Sequence, residues 1–419
     1  MFELTRLRLS PARGRLYISA LGFNADDYLR FLLDQGYARS TIKIYSKCVA
    51  HFACWLNAQG LRVADLDERL IERFLKRHLP TYRCADQYRR PRREVHAALM
   101  QLLKLLRIKG RIDPKASTTP AAIDKELQDF TRHLIQVCGL SPETCRTRVG
   151  RVRAFLLEQF GTHAVRLSTL DRDDIARFMR RNSARWKPVS QQAMGCALRS
   201  YLRFKALAGE HTAALSAAIP RIAQWRLASI PKSLSATEIS QFLGSFDRHS
   251  PTGQRDYAIA RCCADLGLRA AEVARLCLED LDWPQGTLLI RGKGRRIDVL
   301  PLPRITGRAI VAYLRAGRPA TTSQSLFLCH HPPRHRPVTS SAIRQAFRKA
   351  ARHCGLKHRI SGSHVLRHTI AQRLLQRGAT LKQIADLLRH RCLDTTTIYT
   401  KVDLQALSHV AQPWPGSRP

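Results

Sequence analysis

Acidic residues are scarce in this chain. Asp and Glu total 32 against 71 Lys and Arg in 419 residues, a formal charge of +39 with histidine neutral. So one-sided a chain repels itself, which implies a polyanionic partner. Solubility alone does not account for the excess, because carboxylates serve that end better than basic groups. Long apolar runs are lacking too. Nothing approaches the roughly 18 apolar residues of a spanning helix, and Leu16–Phe23 lies behind scattered arginines without a convincing cleavage site. A membrane span is therefore not expected, and nucleic acid is favoured over an anionic membrane surface.

Metal-type cysteine spacing is also missing. The twelve cysteines include the adjacent pair Cys262–Cys263 but no CxxC, and Cys48 and Cys196 fall within helical apolar patterns. They read as reduced, buried thiols of a cytoplasmic protein. Cys329-His330-His331 with His335 follows the strand-like Ser325–Leu328 in a Pro-rich segment, so it reads as a basic loop rather than a metal site. Gly292-Lys293-Gly294 is not a phosphate loop, which needs a glycine where Thr287 stands and Ser or Thr where Gly294 stands.

What is present begins with a repeat. Residues 24–108 and 122–210 look like two copies of one helical unit. The first comprises Tyr28–Gly36, Ser40–Leu56, Asp67–His78 and Glu94–Leu106, with Tyr45, Val49, Phe52 and Leu56 forming one apolar stripe. At an offset of 103, Gly36 aligns with Gly139, Thr41 with Thr144, Val49 with Val152 and Phe52 with Phe155. After a one-residue gap, Leu66-Asp67 matches Leu170-Asp171 and Phe74 matches Phe178. Ser141-Pro142 offers an N-cap and a first-turn proline. Lys109–Pro120 reads as a linker. Another boundary falls near Ala228–Lys232, before the capping box Ser235-Ala236-Thr237-Glu238. Beyond it, helices alternate with a few short strands, and Leu288–Ile290 with Ile297–Leu300 predicts a hairpin.

Polar residues in this last part fall at element ends, where sites tend to lie. Arg269 follows the apolar helix Asp256–Leu266 and its stop, Gly267. Lys293 sits on the hairpin tip. His364 and Arg367 share a helix face at i, i+3. Leu387-Leu388-Arg389-His390 ends another helix, and Asp394–Tyr399 caps and starts a further one. Planar guanidinium groups grip the non-bridging oxygens of a phosphodiester, and fixed donors there lower the barrier to a pentacoordinate phosphorus. A tyrosine nucleophile needs a base, since its pKa is about 10, and a nearby histidine can serve. Lys293 can protonate the departing 5′ oxygen. Glu272 reads as an ion-pair partner that orients Arg269, and His368 as a packing or capping residue.

Order and spacing resemble the tyrosine recombinase (phage integrase) family. The match is Gly267-Leu268-Arg269, Lys293, His364-Val365-Leu366-Arg367-His368-Thr369, His390 and Tyr399. Intervals are 24 residues from Arg269 to Lys293, 26 from His364 to His390 and 9 from His390 to Tyr399. One departure is visible: members usually carry Gly before the last His, where this chain has Arg389. If that backbone must be left-handed, Arg strains it.

The resemblance implies catalytic residues Arg269, Lys293, His364, Arg367, His390 and the nucleophile Tyr399, with neither metal nor other cofactor. It implies cleavage through a 3′-phosphotyrosine and religation to another 5′-hydroxyl, on double-stranded DNA. A homo-tetramer or related recombinases would act together, integrating or transposing a mobile element. The expected fold is mainly α with a small β-sheet: two tandem helical, SAM-like DNA-binding modules (residues 1–115 and 116–228), a mixed α+β catalytic domain (229–412) and a tail (413–419). Leu404, Leu407 and Val410 line one side of a short tail helix, which members dock on a neighbouring protomer. Basic clusters that could touch DNA are Arg89, Arg90, Arg92 and Arg93 beside Tyr82 and Tyr88, equally readable as a solvated loop, and Arg295 with Arg296 on the hairpin. A type IB topoisomerase shares the chemistry but has less need of two binding modules. A decayed, DNA-binding accessory copy is argued against by the intact six-residue set.

Overall fold

The computed structural model describes residues 25–81, 91–113, 119–223, 231–292, 296–390 and 396–402. They fall into two compact units: Leu106–Arg226 is one, and the residues up to Leu105 together with those from Leu227 onward form the other. Among the described residues no helix is long and apolar enough to cross a membrane.

The Leu106–Arg226 unit is built around α5 (Ala121–Gln136), α6 (Pro142–Phe160), α7 (Arg172–Ser183), α8 (Pro188–Leu207) and α9 (Ala213–Ala217). Ile123, Leu127, Phe130 and Leu134 recur along one side of α5 and pack with Val152, Phe155, Phe178, Leu198 and Tyr201. Proline opens both α6 and α8, where its missing N–H costs nothing. Ser141 occupies the cap position of α6, but its hydroxyl meets the Thr144 hydroxyl at 2.9 Å instead of capping the backbone. Cys196 was expected to be buried and is exposed, because the apolar stripe of α8 runs through Met194, Ala197, Leu198, Tyr201 and Leu202.

Preceding it in sequence are α1 (Ala25–Asp34), α2 (Arg39–Ala58), α3 (Glu68–Arg73, continued by a wider turn to His78) and α4 (Arg92–Ile108). The two repeat segments share internal details. Phe52 and Phe74 meet edge-on at 5.0 Å and 75°, while Phe155 and Phe178 meet at 5.0 Å and 78°. Asp67 accepts from the Leu70 N–H at 2.7 Å to cap α3, and Asp171 accepts from the Asp174 N–H at 2.8 Å to cap α7. The aligned glycines differ in surroundings. A Cβ on Gly36 would meet the Arg334 side chain at 2.8 Å, and the Arg334 N–H donates to the Gln35 carbonyl at 3.2 Å. Around Gly139 that space is open.

From residue 231 the chain forms α10 (Ala236–Gly244), α11 (Pro251–Asp265) and α12 (Ala270–Val273). Three antiparallel strands follow in the order β1 (Leu281–Asp282), β2 (Thr287–Arg291), β3 (Ile297–Pro301). Leu288 pairs with Leu300 and Arg291 with Ile297. The hairpin was legible from alternation; β1, two residues long, has no period to read. Ser325 and Leu328 make only isolated bridges. Four more helices follow: α13 (Arg304–Ala312), α14 (Ser340–His353), α15 (His364–Gln376) and α16 (Leu381–Leu388). Ala258, Ile259, Cys262 and Cys263 place α11 at the centre of this core, with Leu288, Ile310, Phe347 and Leu366. Of the helix expected to be capped and started by Asp394–Tyr399, the described part, Thr397–Val402, is a 3-10 turn, while Asp394 and Thr395 lie outside the described residues. The apolar tail Leu404–Val410 lies outside the described residues.

Removing a buried aromatic from one copy tests this layout. Phe155→Ala should cost about 3–5 kcal/mol in the Leu106–Arg226 unit. In calorimetry one transition should fall while the other holds, and a uniform shift of the whole profile would contradict separate cores.

Candidate active site

Helix α11 ends because Gly267 takes φ 61°, a region costly for any residue with a Cβ. The close approach reinforces the requirement: Leu388 Cδ2 lies 2.6 Å from where a Cβ would stand. This turn places Arg269 at the cap of α12. The Arg269 backbone N–H donates to Glu272 Oε2 at 2.9 Å, and its Nη1 donates to Oε1 at 2.7 Å. Arg269 remains 38% exposed on its side chain while that of Glu272 is 3% exposed. A solvent-facing guanidinium is thus held by a buried carboxylate.

Arg367 lies in the first turn of α15 and is buried. Its Nη1 donates to the Gly267 carbonyl at 2.6 Å, and its Nη2 donates to the Leu388 carbonyl. One side chain therefore ties the turn after α11 to the end of α16. Burial first, then the Arg269 charge, pushes its pKa down to about 9, which still leaves it charged at neutral pH.

Helix α16 terminates at Arg389, which is left-handed with φ 55° and ψ 49°. Glycine is the usual residue there. The Arg389 side chain folds inward, Nη2 donating to Glu272 Oε2 at 2.8 Å and Nη1 to the Leu387 carbonyl at 2.9 Å. His390 follows, its Nδ1 2.8 Å from Thr396 Oγ1. His368 Nδ1 is 3.0 Å from the Tyr399 hydroxyl. Tyr399 is 1% exposed and packs among Ala371, Ile384 and Leu388.

Electrostatics bind these groups into one neighbourhood. Burial, then Arg367 and Arg269, lowers His390 to about 4. Burial, then Arg269, Arg367 and Arg344, lowers His364, and burial, His364 and Arg367 lower His368. All three imidazoles are therefore neutral at pH 7. Burial raises Tyr399, while Arg367 and Arg269 pull it back.

Arg269, His364, Arg367, His390 and Tyr399 thus come together. Lys293, Arg295, Arg89 and Arg90 lie outside the described residues. Arg296 is exposed, its carbonyl accepting the Gly292 N–H at 2.8 Å to close the hairpin. Arg92 and Arg93 are exposed in the first turn of α4, with Arg92 paired to Glu72 at 3.1 Å. Sequence reasoning did not find the contact of His368 with Tyr399. The sole local signal was its i+4 spacing from His364.

Two family models match: the phage integrase family over residues 232–406, and the phage integrase N-terminal SAM-like domain over 127–209. The chain is 34% identical over 391 residues to y4rA of Sinorhizobium fredii, a protein provisionally named an integrase/recombinase, with 93% of each chain covered. This chain belongs to the phage integrase family. Such proteins are tyrosine-type site-specific recombinases, and recombination or integration of DNA is the function typical of the family. This integrase is also 29% identical over 293 residues to the tyrosine recombinase XerD of Listeria innocua, covering 68% of this chain and 96% of that one. Its fold is similar to that of XerH recombinase bound to difH substrate in a post-cleavage complex: TM-score 0.55, 20% identity, 82% of this chain and 95% of that one. A lambda integrase dimer on a core site gives TM-score 0.52 at 16% identity, covering 74% and 87%.

The neutral imidazoles set a pH dependence. Unfolded histidines protonate near pH 6.5, whereas the folded groups resist until lower pH, about 4 for His390. Between those values the unfolded state binds more protons. Stability should therefore be full above about pH 6.5 and fall progressively towards pH 4. His390→Gln should flatten part of that slope in denaturant melts at stepped pH; an identical slope would show that His390 is not held neutral.

Proposed function

We propose that this integrase cuts one strand of double-stranded DNA with Tyr399 and keeps the broken end as a 3′-phosphotyrosine. The observation that carries the reading is the Tyr399 hydroxyl, 3.0 Å from a neutral His368 and in the field of Arg269 and Arg367. The phenolic oxygen forms a bond to phosphorus as the bond to the 5′ oxygen breaks. His368 takes the phenolic proton. Lys293 supplies one to the leaving 5′ oxygen, and Arg269 and Arg367 meet the charge on the non-bridging oxygens, with His364 and His390 beside them. Religation to a different 5′-hydroxyl reverses these steps. Because Tyr399 is enclosed, attack requires the 397–402 turn to move off its packing.

A basic face supports DNA as the partner. Arg344, Arg348 and Arg352 recur every fourth residue along α14 and are exposed, flanking the buried stripe of Ile343 and Phe347. Arg336, Arg348, Lys349, Arg352 and Lys357 line a cavity of about 1040 Å³, suited to backbone phosphate. The shared build of the two helical segments supports a second DNA-facing module. Exchange between two duplexes needs four cuts, hence four copies of this chain or of related recombinases, as integration or transposition of a mobile element demands.

The test uses a plasmid carrying two copies of the DNA that flanks the gene, plus a nicked duplex to trap the adduct. Tyr399→Phe should bind the duplex yet form no covalent adduct, and an adduct persisting in that variant would remove Tyr399 as nucleophile. Arg269→Ala should bind normally but cleave roughly 10²–10³-fold more slowly. Relaxation without exchange by the wild type would refute the recombinase reading.

A further inference from the structure

We propose that Arg389 is a positioning residue of the phosphate site, offsetting the buried Glu272 carboxylate so that Arg269 and Arg367 act with two full positive charges. The inference rests on the phosphate-binding reading above. Glu272 is buried, and both its oxygens are in use: Oε1 takes Arg269 Nη1, while Oε2 takes the Arg269 backbone N–H and Arg389 Nη2. That carboxylate is needed to aim Arg269, but it carries a charge of the wrong sign for a phosphate site. Two arginines and one carboxylate would leave a single net positive charge. Arg389 restores the second.

Its placement is hard to explain as mere helix termination. A left-handed φ of 55° disfavours a side chain that glycine would omit. The Arg389 side chain is 6% exposed, and its Nε–H has no acceptor among the described residues. A buried group with an unmet donor is costly, so its retention calls for a compensating attraction, and the Glu272 contact at 2.8 Å supplies one. Burial alone would raise the Glu272 carboxyl; Arg389, then Arg269, hold it below the usual carboxylate range. So deeply buried a side chain does not itself meet substrate. It acts through Glu272 and through the field on His390, whose pKa it helps depress.

The experiment uses the full chain as Arg389→Gly, Arg389→Gln, Arg389→Lys and the pair Arg389→Gln with Glu272→Gln. Three quantities are read: affinity for inorganic phosphate without DNA, the His390 titration by NMR, and single-turnover cleavage of the nicked duplex. Losing the charge in Arg389→Gly or Arg389→Gln should weaken phosphate binding about tenfold and slow cleavage about 10–100-fold. Duplex affinity should barely change, and the His390 pKa should rise. Arg389→Lys should recover most of the loss. The double variant should regain phosphate affinity over Arg389→Gln, since the net charge returns. If Arg389→Gly fails to fold, the Gln and Lys variants carry the same comparison. Wild-type phosphate affinity and His390 titration in the charge-removing variants, with only melting temperature altered, would overturn the proposal. A wild type that forms no adduct while the phosphate arm behaves as expected would instead overturn the Tyr399 chemistry and leave the positioning role standing.

Discussion

The buried guanidinium of Arg367 holds this site together. It donates to two backbone carbonyls, Gly267 on the turn after α11 and Leu388 at the end of α16, so three separated stretches of chain meet on one planar group. Guanidinium suits the task because its donors are fixed in a fork and it stays charged despite burial. The close approach that results requires glycine at 267, where Leu388 occupies the space of a side chain. It also brings Arg269 and Arg389 to opposite ends of one carboxylate, Glu272.

Around that anchor, positive charge and neutral imidazole coexist for one reason. Burial and neighbouring arginines both disfavour protonation of His364, His368 and His390, so the same positive charges that gather here also keep the imidazoles neutral. The same burial raises the Tyr399 hydroxyl and encloses it. Local ion pairs thus serve polarity and aim more than stability, as expected where desolvation offsets most of the Coulomb gain.

Much of the fold was legible in the pattern of residues. The two segments aligned on glycines, aromatics and aspartates share one packing detail: Phe52–Phe74 and Phe155–Phe178 meet in nearly the same geometry. The hairpin followed from alternation, and the stop of α11 from Gly267. Failures came where local pattern is too short or is overridden. Strand β1 has two residues, the Ser141 hydroxyl found Thr144 instead of the backbone, and Cys196 sits off the buried stripe of α8. Thr397–Val402, the described part of a further expected helix, is a 3-10 turn.

By itself, the sequence determined the family, the excess of positive charge and the order and spacing of the candidate site residues, because charge, spacing and periodicity are properties of the chain alone. It also flagged Arg389 as a strained substitution for glycine. Only the tertiary structure decided what that strain accompanies, a buried contact with Glu272, 117 residues away in the chain. Likewise it chose His368 as the partner of Tyr399, across 31 residues. Such pairings depend on how helices close on one another, and no local periodicity records that.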